Sequence, residues 1–151
     1  MLAAGDKLPD VTVADDTGKM LHTKELLGRT LVLYFYPKDD TPGCTSEAGQ
    51  FSAAYADFAQ KDAQVVGVSR DSVASHQRFK QKYGIPYPLL ADEDSKLCDA
   101  MGVIVEKNMY GKTSLGIQRS TFLVDPEGNI VRVWPKVSVE GHADDVLAAI
   151  A

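Results

Sequence analysis

Of all the residues in this chain, its two cysteines, Cys44 and Cys98, are the best suited to covalent chemistry. Cys44 follows a Pro/Gly-containing loop, at the point where an apolar strand gives way to an amphipathic helix. At a helix N-terminus, unpaired backbone N–H groups and the positive end of the helix dipole favour a thiolate over a thiol. The thiolate is the nucleophilic form of cysteine, so this position predicts a reactive Cys44. The alternative is a small, inert core residue.

The loop before Cys44 supplies further candidates for the same chemistry. Thr41 places a hydroxyl where it can donate to the Cys44 sulfur, accept from an O–H group of a bound substrate, or cap the helix. Gly43 allows backbone amides to approach a bound oxygen closely, while Pro37 and Pro42 restrict the loop. Amides placed in this way suit a reaction in which negative charge develops on a leaving oxygen.

Alternating strands and helices are predicted around these residues, which is typical of an α/β domain with helices on both faces of a sheet. We expect a hairpin of residues 11–14 and 19–22, with Thr23 capping a short helical segment after it. The other predicted strands are 30–36, 63–69, 89–91, 117–124 and 130–134, and the predicted helices are 44–60, 72–83, 94–101 and 142–150. Residues 108–116 are predicted to form a mobile loop. We find no linker or repeat, so residues 1–151 are expected to form a single domain.

The composition narrows the possible classes of function. Apolar residues make up 44% of the chain, charged residues 25%, and the net charge is −5 without a basic block. These values argue against a nucleic-acid-binding face or a polybasic membrane anchor. The longest apolar run, residues 31–36, is too short to span a bilayer, and residues 1–7 lack signal-peptide features. A cytoplasmic location is expected, and neither a metal nor a cofactor, since the chain has no CxxC pair and no Cys/His cluster.

The loop and helix start resemble the signature of the peroxiredoxins, and more narrowly of their bacterioferritin comigratory protein, or PrxQ, subfamily. The matching string is Pro-Lys-Asp-Asp-Thr-Pro-Gly-Cys-Thr-Ser-Glu at residues 37–47, preceded by Leu-Tyr-Phe-Tyr. The resemblance continues through residues 5–10, 67–71, 79–84, 88–92, 116–125 and 141–142, and so covers nearly the whole chain.

The resemblance implies a thioredoxin-like fold, with a central mixed β-sheet flanked by helices and an N-terminal β-hairpin. It also implies thiol-dependent reduction of hydrogen peroxide and organic hydroperoxides, with no cofactor and with thioredoxin or glutaredoxin and glutathione as the reductant. The catalytic set carries over to Cys44, Thr41, Arg119 and Pro37, with Arg119 holding the thiolate and a peroxide oxygen together. Glu47 matches the acidic position after the cysteine, where it would orient an arginine or support the helix N-terminus.

The chain departs from the subfamily pattern in its resolving cysteine. Many members carry that cysteine five residues after the first, where this chain has Gly49, and a second known location, within residues 72–83, is also vacant. Cys98 remains, either as a packed inert residue or as the resolver of an atypical two-cysteine enzyme. We predict a one-cysteine mechanism, in which an external thiol reduces the sulfenic acid of Cys44.

Other interpretations of the same residues stay open at this point. A thiol–disulfide oxidoreductase would share the fold but lacks its CxxC pair. A redox sensor, a thiol-dependent chaperone or a binding module with an inert thiol are the remaining alternatives. Asp39 and Asp40 are expected to be solvated, and His142 to begin the last helix. We expect a monomer, with a dimer as the alternative.

Overall fold

The protein is organised around a central sheet, described for residues 1–150 by a computed structural model; the last residue of the predicted domain, Ala151, lies outside the described residues. The strands are β1 (Thr12–Asp15), β2 (Met20–His22), β3 (Thr30–Phe35), β4 (Ala63–Ser69), β5 (Leu89–Ala91), β6 (Ile104–Met109), β7 (Lys112–Ile117), β8 (Ser120–Val124) and β9 (Ile130–Trp134). The helices are α1 (Pro42–Ala53), α2 (Tyr55–Gln60), α3 (Val73–Tyr83), α4 (Lys96–Met101) and α5 (His142–Ala148), with a 3-10 turn at Thr23–Leu26.

The sheet has seven strands in the order β2-β1-β5-β4-β3-β8-β9. β3, β4 and β5 are parallel, whereas β1, β8 and β9 are antiparallel to their neighbours. The predicted mixed sheet and N-terminal β1–β2 hairpin are therefore confirmed. β3 and β4 lie in the middle of the sheet, which explains why their sequences are almost continuously apolar. None of the helices within residues 1–150 is long and apolar enough to cross a membrane.

Side chains that alternate along β3 contribute to two separate cores, one on each face of the sheet. Val32 and Tyr34 belong to the first core, which includes Cys44 and is covered by α1, α2, α3 and α5. Leu31 and Leu33 belong to the second core, which is covered in part by α4 and includes Cys98. The sheet therefore lies between the two cysteines.

The prediction of a mobile loop at residues 108–116 is wrong. This segment lies mostly within the β6–β7 hairpin, a two-stranded sheet separate from the main one. Its turn has positive φ angles at both central residues, Tyr110 (53°) and Gly111 (75°), the pattern of a tight hairpin turn. The hairpin escaped sequence analysis because β7 is exposed along most of its length and lacks the apolar alternation of a half-buried strand.

Several details of the predicted elements also need correction, and the last helix ends at Ala148 and not at residue 150. The predicted helix 44–60 is two helices, α1 and α2, separated at Ala54, and the predicted helix 94–101 begins only at Lys96. The predicted strand 117–124 is interrupted before Ser120. Thr23 does not cap the 3-10 turn: its hydroxyl donates to the Pro9 carbonyl at 2.5 Å, because the N-terminal segment crosses there.

Candidate active site

Cys44 lies in the first turn of α1, where the sequence predicted it. Pro42 occupies the first helical position, to which its restricted φ and missing N–H are suited, and Thr41 precedes it in an extended conformation. The first bond of the helical ladder runs from the Thr45 N–H to the Thr41 carbonyl at 2.8 Å. The N–H groups of Gly43 and Cys44 therefore precede the ladder, and N–H groups in this position can donate to a bound oxygen.

Arg119 contacts the cysteine from the segment between β7 and β8. β8 pairs antiparallel with β3, with Ser120 opposite Phe35, so the residue just before β8 lies beside the end of β3 where the cysteine loop (residues 37–41) begins. The Arg119 Nη2 donates to the Cys44 Sγ at 3.3 Å. A β-carbon at Gly43 would lie 3.1 Å from Nη2, so the glycine leaves room for the guanidinium.

Glu47 orients Arg119 from one turn further along α1. The Arg119 Nη1 donates to the Glu47 Oε1 at 2.8 Å, while the Glu47 Oε2 is buried and has no hydrogen-bond partner among residues 1–150. Burial raises the pKa of Glu47 to about 7, although Arg119 acts to lower it. Burial alone would lower the pKa of Arg119, but the charge of Glu47 and the bond to Cys44 raise it above its ordinary value. The guanidinium therefore stays charged beside the sulfur.

Thr41 makes neither the donor bond to the Cys44 sulfur nor the cap bond to α1 that the sequence suggested. Its Oγ1 donates to the Lys38 carbonyl at 2.8 Å, and its side chain makes no cap bond to α1. The hydroxyl proton is committed to the loop, so the oxygen retains lone pairs that can accept from a peroxide O–H. Pro37 is half-buried at the start of the same loop.

Cys98 is fully buried in α4, in the core on the opposite face of the sheet. Burial, followed by a hydrogen bond to Asp92 and the charge of that residue, raises the pKa of the Cys98 thiol far above its ordinary value. The Cys98 N–H donates to the Asp92 Oδ2 at 2.7 Å, so the backbone at Cys98 is held as well. These contacts are those of a packed core residue.

Lys107, a half-buried cation on β6, was not predicted from the sequence. Partial burial and the nearby charges of Arg119 and Arg70 lower its pKa, and Cys44 lies close enough to act in the opposite direction. The Lys107 side chain crosses Gly116, where a β-carbon would lie 3.1 Å from its Cδ. Gly116 lies diagonally across the hairpin from Lys107 and was a signal for this packing, but it could be used only with the β6–β7 pairing in hand.

The prediction that Asp39 is solvated is wrong, whereas Asp40 is exposed as predicted. Asp39 is 7% exposed and accepts from the Tyr36 hydroxyl at 2.6 Å, the Ser75 hydroxyl at 2.8 Å and the His76 Nδ1 at 2.7 Å. These partners come from the end of β3 and from α3, and no local pattern in residues 37–41 indicates that α3 packs there. The other expectation, that His142 begins the last helix, is confirmed.

Comparison with known proteins identifies the class to which this fold and site belong. A model of the AhpC/TSA family matches residues 4–133. The chain is 48% identical over 149 residues to a putative peroxiredoxin Bcp of Coxiella burnetii, covering 99% of both proteins. It is 58% identical over 123 residues to peroxiredoxin Bcp of Xanthomonas campestris, covering 82% of this chain and 77% of that one. The solved structure of Xanthomonas campestris peroxiredoxin Q superposes with a TM-score of 0.91 at 50% identity, covering 97% and 96% of the two chains.

The chain therefore belongs to the AhpC/TSA family and, within it, to the peroxiredoxins of the Bcp/PrxQ type. Its fold is the thioredoxin-like fold of those proteins. Peroxiredoxins are thiol peroxidases, enzymes that reduce peroxides with electrons taken from a thiol, and this is the enzymatic activity of the chain.

Proposed function

We propose that Cys44 is the peroxidatic cysteine of a one-cysteine peroxidase, with Arg119, Thr41 and Pro37 completing the catalytic site and Glu47 and Gly43 supporting it. The observation that carries this proposal is the contact of the Arg119 Nη2 with the Cys44 Sγ at 3.3 Å, in the first turn of α1. A fixed positive charge and free N–H groups meet there at a single sulfur atom.

In the first step, the Cys44 thiolate attacks the terminal oxygen of the peroxide. An S–O bond forms, the O–O bond breaks, and the leaving oxygen departs as an alkoxide, or as hydroxide from hydrogen peroxide, which then takes up a proton. Arg119 and the N–H groups of Gly43 and Cys44 stabilise the charge on the leaving oxygen. Thr41 accepts from the peroxide O–H, and Pro37 shields the sulfur from water. The sulfur is oxidised to a sulfenic acid.

In the second step, an external thiol reduces the sulfenic acid of Cys44. The attacking thiol forms a mixed disulfide with Cys44, and water leaves. A second thiol then attacks this disulfide, so that Cys44 returns to the thiol form and the two thiols of the reductant end in a disulfide. Cys98 is in the core on the other face of the sheet, which disfavours an internal disulfide. Thioredoxin, or glutaredoxin with glutathione, is the reductant that we propose.

We propose organic hydroperoxides as substrates besides hydrogen peroxide. The bacterioferritin comigratory protein of Xanthomonas campestris, a relative at 50% identity, has alkyl peroxide reduction activity. Aromatic side chains, among them Tyr34 and Tyr36, pack beneath the cysteine loop in the same core as Cys44, so the floor of the site is apolar.

The decisive experiment separates the two cysteines. Cys44→Ser should abolish turnover and the sulfenic acid adduct formed with dimedone. Cys98→Ser should leave both the first oxidation and turnover with an external thiol intact. Mass spectrometry of peroxide-treated protein should find no disulfide between Cys44 and Cys98, and such a disulfide as the main product would overturn the one-cysteine proposal.

We further propose that the whole chain is one domain that acts as a monomer in the cytoplasm. A single sheet takes strands from both halves of the chain, which supports one domain. Cys44 must return to its reduced state after each turnover, which suits a reducing compartment. Light scattering of the purified protein at micromolar concentration tests the monomer, and a stable dimer would contradict it.

A further inference from the structure

The cysteine loop is attached to α3 through a buried polar network that the proposed mechanism does not use. Asp39, in the middle of the loop, accepts hydrogen bonds from Ser75 and His76, both on α3. The Asp39 N–H in turn donates to the Asp71 Oδ2 at 2.9 Å, just before α3 begins. The loop is thus attached through both the side chain and the backbone of a single residue.

His76 uses both of its ring nitrogens in this network. Its Nδ1 lies 2.7 Å from the Asp39 Oδ2, and its Nε2 lies 2.8 Å from the Leu90 carbonyl on β5. A carbonyl only accepts, so Nε2 carries a proton, and the carboxylate already accepts from two hydroxyls, which favours a proton on Nδ1 as well. The geometry is that of a fully buried imidazolium paired with a carboxylate.

The charged and titratable groups around the imidazole agree with this assignment. Asp39 faces it from the loop, Asp71 from the segment after β4, and Tyr36 from the end of β3, with ring centroids 6.4 Å apart. Burial alone would lower the pKa of His76, but the hydrogen bond and charge of Asp39, followed by the Leu90 carbonyl and Asp71, raise it. Burial and Asp39 also raise the pKa of Tyr36, which stays neutral.

The same three groups, Asp39, Asp71 and His76, lie close enough for a cation to bridge them, with ligand atoms within 4.8 Å of one another. A cation would need a lone pair on the imidazole, and both ring nitrogens are engaged with acceptors. The Asp71 Oδ2 likewise accepts from the Ser69 hydroxyl at 2.6 Å. Hydrogen bonding therefore accounts for the cluster.

A second attachment between loop and helix is exposed to solvent. The Lys82 Nζ lies 2.9 Å from the Asp40 Oδ2, and the Tyr83 hydroxyl donates to the other oxygen of Asp40. Exposed ion pairs of this kind contribute little to stability, whereas breaking a buried pair leaves an uncompensated charge. The buried network around Asp39 is therefore the stronger of the two attachments, and the pair with His76 is its charged member.

The loop has to move during the second half of the reaction. Cys44 is only 2% exposed, so the closed loop leaves space for at most a small peroxide and denies the sulfur to a thiol carried on another protein. We propose that His76 is a positioning residue, whose bond to Asp39 holds the cysteine loop closed for peroxide reduction and breaks before a protein thiol reduces the sulfenic acid. This inference rests on the proposed function and adds the element that controls its second step.

The proposal implies a direction for the effect of pH. A neutral imidazole has one N–H and cannot serve both Asp39 and Leu90, so loss of the proton weakens the loop attachment. The folded state raises the pKa of His76 above its ordinary value of 6.5. The attachment is therefore fully present below pH 6.5 and is lost as pH rises through the raised pKa. Reduction by a protein thiol should therefore accelerate at alkaline pH beyond the effect of the thiol's own ionisation.

Two amide variants of His76 test the proposal. His76→Gln retains a donor near the Leu90 carbonyl and loses the bond to Asp39, whereas His76→Asn retains a donor toward Asp39; neither titrates. Stopped-flow kinetics should show that His76→Gln oxidises with peroxide several-fold more slowly, and that thioredoxin reduces its sulfenic acid about tenfold faster, as expected for loss of one charged hydrogen bond. His76→Asn should change less, and both variants should lose the extra alkaline acceleration. The control Lys82→Ala, which removes the ion pair of the exposed attachment and leaves the buried network intact, should behave as the wild type.

The outcomes separate this inference from the proposed function. Absence of a dimedone adduct on wild-type Cys44 would overturn the peroxidase proposal and this inference with it. Adduct formation together with wild-type reduction rates and pH profile in His76→Gln would overturn this inference alone. If both variants fail to fold, hydrogen exchange of the wild type decides: protection of the Asp39 amide should fall about tenfold between about pH 6 and about pH 9, after correction for intrinsic exchange. Protection that does not change with pH would refute the role of His76.

Discussion

Arg119 is the single residue on which the chemistry of the site depends most. Its two terminal nitrogens contact different partners, Nη2 the Cys44 sulfur and Nη1 the Glu47 carboxylate, so the orientation of the guanidinium is set by Glu47. A lysine has one charged nitrogen on a flexible stem and cannot reproduce this fork.

Arg119→Lys is therefore expected to slow the oxidation of Cys44 by peroxide about 10- to 100-fold, the range for loss of a hydrogen bond to a charged group. The second-order rate constant from stopped-flow measurement checks this. Arg132→Lys is the matched control, because Arg132 stacks on the Trp134 ring at 4.5 Å, on the β9 edge of the sheet. An Arg119→Lys enzyme as fast as the wild type would show that the fork is dispensable.

Replacing Glu47 by a neutral residue should show how much free energy of unfolding the protein loses by burying this carboxylate. The folded-state pKa of Glu47 is about 7, above its ordinary value of 4.5. The folded protein therefore loses stability as pH rises from 4.5 to about 7, because the unfolded chain ionises this carboxyl more readily. Glu47→Gln keeps an acceptor for Arg119 without the charge, and we expect it to exceed the wild type in free energy of unfolding by about 1–3 kcal/mol at pH values above 7. Urea denaturation across this range measures the gap, which should shrink toward pH 4.5. A gap independent of pH would show that the buried charge of Glu47 is not its cause.

At this scale, sequence could identify Cys44 through its place at a helix start, and Arg119 and Glu47 through family resemblance. The bond between Cys44 and Arg119 spans 75 residues and depends on the β3–β8 register, which no local pattern specifies. Asp39 was misjudged for the same reason, since all its side-chain partners except Tyr36 come from α3.

At the scale of elements, α1 determines how Cys44 can be regenerated. Gly49 is exposed on α1, and a β-carbon there meets no atom within 4 Å, so the position accepts a side chain. Five residues of helix rise about 7.5 Å, beyond disulfide range. A thiol at this position can reach the Cys44 sulfur only if the start of α1 unwinds.

Gly49→Cys is therefore expected to form an intramolecular disulfide with Cys44 after peroxide treatment, at a rate limited by that unwinding. Mass spectrometry should find this bond, and the dimedone adduct should diminish compared with the control Gly49→Ser, which has the same shape without the thiol. Persistence of the full adduct in Gly49→Cys would mean that α1 stays wound after Cys44 is oxidised.

Elements with a strong apolar pattern were the predictable ones. β3 and β4 were located within a residue because each is buried on both faces. The β6–β7 hairpin was missed because its turn residue Tyr110 is 96% exposed and β7 is solvated along most of its length. Pairing with each other, and not an apolar face, defines these strands.

For the molecule as a whole, His76 and His142 affect stability in opposite ways: His76 stabilises the fold less as pH rises, whereas His142 stabilises it less as pH falls. His142 is buried between α5 and the sheet, where its Nε2 lies 2.8 Å from the Thr121 hydroxyl. Burial lowers the pKa of His142 to about 4. The unfolded chain therefore takes up a proton near pH 6.5 that the folded protein refuses until about pH 4, so stability falls across that range.

His142→Gln, which keeps a donor near the position of Nε2, is expected to remove about 2–3 kcal/mol of the acid-induced loss of stability between about pH 6.5 and about pH 4. Chemical denaturation at several pH values provides the measurement. His22→Gln is the matched control because the His22 imidazole is exposed. An unchanged acid slope in His142→Gln would show that other groups dominate acid unfolding.

The overall topology could be predicted because the resemblance to the peroxiredoxins implies a thioredoxin-like fold. The division of the chain into two cores emerged only from the structure, since it depends on which face each helix covers. That division is what distinguishes the environments of Cys44 and Cys98.

The sheet between the two sulfur atoms also has a kinetic consequence. Because the sheet separates Cys98 from Cys44, oxidant and electron donor both react at the Cys44 sulfur and must take turns there. Steady-state rates should then follow a ping-pong pattern, with parallel lines in double-reciprocal plots, and a large hydroperoxide held beside the Cys44 sulfur should compete with the donor for the oxidised enzyme.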